Sequence, residues 1–65
     1  MDFKEAKGKA EEILKFARGD VNIAIRIVEE EINVYEFYIH DDSLSKSVYQ
    51  VYIDFWEKVK EILAQ

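Results

Sequence analysis

Apolar residues recur at intervals of three and four along almost the whole chain, in three blocks parted by two short polar breaks. In the first block Phe3, Ala6, Ala10, Ile13, Leu14 and Ala17 fall on one face of a 3.6-residue helix. Asp2 followed by Glu5 three positions later is a capping-box arrangement, which starts a helix there. Gly8 is its weak point, since an interior glycine costs about 1 kcal/mol against alanine. Phe16 points away from the stripe, either toward a third surface or partly into solvent. The block ends at Arg18-Gly19, where glycine takes the left-handed C-terminal position without steric cost and Arg18 complements the negative end of the helix dipole. Asp20 then serves as the N-cap of the next helix, so the turn is only about two residues long and the two helices are neighbours.

The second block, Val21 to His40, contains neither glycine nor proline. Val21, Ala24, Ile25, Val28, Ile32, Tyr35 and Ile39 form a stripe spanning about 100° of arc at 100° per residue. Ile23, Ile27, Val34 and Tyr38 lie beside it and widen the apolar arc to roughly 200°, more than an ordinary surface helix carries. Such a helix is covered on two sides, with Asn22, Arg26, Glu29, Asn33, Glu36 and His40 on its wet face. The break His40-Asp41-Asp42-Ser43 supplies N-caps for a third helix. There Leu44, Val48, Val51, Tyr52, Phe55, Val59 and Ile62 make a core stripe, with Leu63 at its edge. Tyr49, Ile53 and Trp56 form a second row about 100° away.

The pattern therefore predicts one all-α domain over residues 1–65, a three-helix bundle with helices at about 3–18, 21–40 and 44–64, self-associating through its surplus apolar rows. A hairpin is the competing arrangement, because residues 32–39 and 48–55 are rich in β-branched and aromatic side chains. Poor in-out alternation and an eight-residue connection without glycine or proline weigh against it, as does helical spacing that runs from Val48 into Trp56-Glu57-Lys58-Val59.

Ala10-x-x-Ile13-Leu14-Lys15-x-x-x-Gly19-Asp20-Val21-x-x-Ala24-Ile25-x-x-Val28 resembles the last two helices of ubiquitin-associated domains, as also found in elongation factor Ts and the nascent-polypeptide-associated complex. The resemblance covers residues 10–28 and implies a glycine-aspartate corner between two amphipathic helices. The family's first helix and its Met-Gly-Phe ubiquitin-contacting loop have no counterpart in residues 1–9, so it implies no binding residue here.

Size and charge narrow the function. A chain of 65 residues buries only about 60% of its unfolded surface and needs a very apolar core, a staple or a partner. The absence of cysteine excludes a disulfide staple and a thiolate metal site, and a single histidine excludes a histidine-rich cage. No apolar run reaches the roughly 20 residues that span a bilayer, and the charged N-terminus does not read as a signal peptide. The expected location is the cytoplasm. Of the net charge of −5, residues 1–19 hold five basic groups against four acids, and residues 44–65 hold three of each. Residues 20–43 set Arg26 alone against Asp20, Glu29, Glu30, Glu31, Glu36, Asp41 and Asp42. That central acidity repels phosphate backbones and argues against nucleic acid, including a helix-turn-helix reading of the corner, while it fits a basic protein partner.

The strongest candidate site is the apolar surplus: Ile23, Ile27, Val34 and Tyr38 on helix two with Tyr49, Ile53 and Trp56 on helix three. A three-helix monomer cannot turn all of these inward, and a contiguous apolar patch of that kind marks an interface. A homo-oligomer, dimer or tetramer, satisfies the area requirement without a foreign partner. Glu31 falls inside the widened arc, where an ionised carboxylate needs a partner or the rim of the patch. Glu36 and His40, four apart, could share a divalent metal, but they lie on the wet face and lack the Glu-x-x-His spacing of di-metal bundles. No nucleophile elbow or phosphate loop is present, and no cofactor is implied. The expected function is a non-catalytic helical interaction or regulatory module. The alternative is a small ligand- or metal-binding bundle using Glu31 or the Glu36/His40 pair.

Overall fold

In the computed structural model the chain forms three helices, α1 (Phe3–Phe16), α2 (Val21–Asp41) and α3 (Lys46–Ala64). The structure describes residues 3–41 and 46–65. The cap residue Asp2, the loop caps Asp42 and Ser43, and Leu44, the expected first member of the third stripe, lie outside the described residues. Residues 32–39 and 48–55 are helical throughout, and no strand occurs among the described residues. Helical periodicity prevails over β-propensity because that propensity largely reflects packing on a pleated surface, and these side chains find their packing on a neighbouring helix.

The corner between α1 and α2 is built as a Schellman motif. The Gly19 N–H donates to the Leu14 carbonyl at 2.8 Å and the Arg18 N–H to the Lys15 carbonyl at 3.0 Å, which satisfies two carbonyls left over at the helix end. The motif puts Arg18, rather than the expected Gly19, at its left-handed position with φ 57°; Gly19 follows at φ 82°. α1 is thereby closed one residue earlier than a cap at the glycine would close it. Asp20 caps α2 as expected: its Oδ1 accepts from the Ile23 N–H at 3.1 Å and its carbonyl from the Ala24 N–H at 3.0 Å.

The core is formed by Ala6, Ala10, Ile13 and Ala17 of the first helix and corner, Ala24, Val28 and Ile32 of α2, and Ile53, Val59 and Leu63 of α3. Alanines on α1 and at Ala24 let the helices approach closely, and Val28 and Val59 are the largest side chains with no solvent exposure. The α2–α3 contact is the most extensive, and α1 packs more on α3 than on α2.

The packing face of α3 differs from the expected stripe. Ile53, Val59 and Leu63 are buried and Tyr49 and Trp56 are half-buried, whereas Val48, Val51 and Tyr52 are exposed. The second row, Tyr49-Ile53-Trp56, turns inward beside the stripe, whose members Phe55, Val59 and Ile62 stay buried or half-buried against the core. The cause is the weight of the two contacts: α3 aligns its inward face mainly with α2, and α1 covers only part of the remaining stripe.

Candidate interaction surface

Helix lengths decide what stays open. α1 has 14 residues and α2 has 21, so at about 1.5 Å per residue α1 runs back along α2 only as far as about Val34. Beyond that level the last two turns of α2 and the first two of α3 form a two-helix overhang, and the molecule's longest extent of 37 Å follows α2 and α3. Two contacts show which faces α1 covers below it. A cleft between α1 and α2 is lined by Ile13, Phe16 and Ile27, and one between α1 and α3 by Ala10, Leu14 and Ile62. The row through Ile27 continues along α2 to Val34 and Tyr38, and the row through Ile62 continues back along α3 through Val59 and Phe55 to Tyr52 and Val48. Both rows thus outrun the helix that covers them.

The groove between α2 and α3 stays apolar where α1 is missing. Val34 is 47% exposed, Phe37 61%, Val48 53% and Val51 50%. All four tyrosines of the protein line this end. Tyr35 stacks on Tyr52 with ring centroids 5.2 Å apart, Tyr38 on Tyr49 at 5.6 Å, and Tyr35 also meets Tyr49 at 6.3 Å. Offset stacking of this kind holds the two helices side by side where no third helix supports them. Phe37 stands edge-on to Tyr38 at the outer flank, with centroids 6.0 Å apart.

The residues expected at the interface divide accordingly. Ile23, Val34 and Tyr38 are exposed along one side of α2, and Ile27 is half-buried beneath the α1–α2 cleft. Ile53 is not on the surface; it is buried in the bundle's own core, with Tyr49 and Trp56 half-buried against it and Trp56 edge-on to Phe55 at 5.6 Å. Val48, Val51 and Tyr52 lie outside instead, at the level that α1 does not reach. The heptad spacing of Val48, Tyr52, Phe55, Val59 and Ile62 marks them as one row in the sequence, but only the length of α1 divides that row into covered and open halves.

A second, smaller apolar feature lies at the opposite end. Phe16 is 83% exposed beside a cleft of about 420 Å³ lined also by Glu12, Ile13, Lys15 and Ile27, with Ile23 nearby on the same side of α2. The polar face is different in kind. Lys60 pairs with Glu29 at 3.1 Å across α2 and α3, over a shallow groove of about 360 Å³ that Asn33, Glu36 and Glu57 also line. Glu31 is half-buried at the rim of the apolar side, and no charged side chain is fully buried among the described residues. Glu36 and His40 are both exposed on α2, and no group of three or more potential metal-ligating side chains comes together among the described residues. None of the described helices is long and apolar enough to cross a membrane. Comparison with protein-family models, with curated proteins and with solved structures finds no match.

Proposed function

We propose that the protein is a small helical interaction module that assembles with copies of itself through α2 and α3, and that it acts by presenting a surface rather than by catalysis. The observation that supports this reading most is the open end of the α2–α3 groove, where two apolar rows continue past the end of α1. Val34, Tyr38, Val48, Val51 and Tyr52 leave on the order of 400 Å² of mostly apolar surface to solvent. The largest such patch on a typical monomer measures roughly 300–600 Å² and is often functional.

A chain this small gains most from such an assembly, because only ten apolar residues are buried in its core among the described residues. Sedimentation velocity of the wild-type protein, from micromolar to millimolar concentration, tests the reading. A dimer or higher oligomer whose fraction grows with concentration is the expected result. A helical monomer across the whole range overturns it.

A further inference from the structure

The open groove has a defined shape and charge, and these select its occupant. Below the overhang the groove is filled by one helix, α1, which shows what its walls accept: an apolar helical face. At the overhang, the groove-facing positions Val34, Tyr35, Tyr38, Val48, Val51 and Tyr52 carry no charge of either sign. Of the nearby charged residues, Glu36 and Lys46 fall on the other sides of their helices, and the half-buried Glu31 borders the α2 wall one turn below. The centre of this face can therefore meet an identical one without opposing like charges, with Glu31 only at its edge. A basic partner would find Glu31 alone to pair with here, since the acids Glu29, Glu36 and Glu57 line the opposite groove.

We propose that the groove is closed by the overhang of a second copy of this chain, packed antiparallel about a two-fold axis, so that α2 and α3 of both copies form a central four-helix core. This rests on the reading that the chain self-associates. The orientation follows from sterics. α1 lies on the same face of the α2–α3 pair as the open groove, so a parallel pairing would drive the two α1 helices into each other. In the antiparallel pairing each overhang fills the groove up to the end of the other copy's α1, and the two α1 helices sit at opposite ends of the assembly. The open area is on the order of 400 Å² per copy before the half-buried Tyr35, Ile39 and Tyr49 are counted, and with them it approaches the lower end of the roughly 600–1,000 Å² per partner of standard interfaces. The four tyrosines of each copy meet at the centre, where aromatic side chains contribute most.

The test compares two ends of the molecule. Val48→Lys with Val51→Lys places charge in the groove, and is expected to weaken association by more than about a hundredfold, because like charges would face each other across the axis. Phe16→Lys with Ile23→Lys alters the opposite end and is expected to leave association unchanged. All four side chains are exposed in the single copy, so both variants are expected to keep the wild-type helical spectrum. If the groove variant unfolds, Val34→Lys carries the same test from the α2 wall. Wild-type assembly that survives the groove substitutions but is lost with those at Phe16 and Ile23 overturns this inference and leaves self-association standing. A wild-type monomer overturns both. Orientation is read from a spin label on Lys15→Cys, the only thiol in the chain. Antiparallel packing puts the two labels roughly 50 Å apart from the helical rise, and a separation under half of that overturns the arrangement.

Discussion

Two glycines of this chain are expected to respond to the same substitution with opposite sign. Gly8 lies within α1, is exposed, and a methyl group added there meets no atom within 4 Å. Gly8→Ala therefore changes only backbone entropy and helix propensity, and is expected to stabilise the fold by about 1 kcal/mol. Gly19 offers a methyl group the same empty space, but its φ is +82°. An L side chain held there costs about 1–2 kcal/mol, and the entropy gained by restricting the unfolded chain offsets only part of that. Gly19→Ala is therefore expected to destabilise by about 1 kcal/mol. The two variants are separated by about 2 kcal/mol, or roughly 8–16 °C in midpoint for a domain of this size. Thermal and urea unfolding followed by far-UV circular dichroism reads the difference, with all proteins at one concentration because self-association raises apparent stability. A Gly19→Ala variant as stable as Gly8→Ala would refute the left-handed conformation of Gly19 at the corner.

Val59 has no solvent exposure and is one of the two largest fully buried side chains, so Val59→Ala is expected to cost about 2–3 kcal/mol in urea unfolding. Val48→Ala, on the same helix but 53% exposed, is expected to stay within about 0.5 kcal/mol when measured on dilute monomer. Equal losses at both would mean that the row through Val48 and Val59 is buried along its whole length. Asp20→Ala removes the acceptor of the Ile23 N–H and is expected to cost about 1 kcal/mol, with Asp20→Ser or Asn restoring most of it. No recovery with serine would show that the capping bond contributes nothing.

Much of the fold is legible along the chain because it rests on local chemistry. The spacing of three and four through Val21 to His40 and through Val48 to Leu63 selects helix over hairpin, since it is sustained far longer than the alternation a strand would need. Asp20 declares the start of α2 because capping involves only residues three and four positions away. The row Ile23, Val34 and Tyr38 reads as surplus because one neighbour cannot cover a 200° arc, whichever way the helix turns.

The remainder is decided by tertiary structure, and α3 shows why. Its apolar residues form two rows, and sequence periodicity ranks them by number without knowing what stands opposite. The structure turns Ile53 inward with Tyr49 and Trp56 beside it, because α2 is the larger neighbour. Val48, Val51 and Tyr52 remain outside because α1 is too short to reach them, a relation between helices that no window of residues contains. That Arg18 rather than Gly19 takes the left-handed Schellman position is likewise not legible in a sequence that offers a glycine one position later. By itself the sequence determines three helices, one capped corner and an excess of apolar surface. Only the packing of helices of unequal length decides where that excess lies, because burial is a property of the distance between elements and periodicity a property of each one alone.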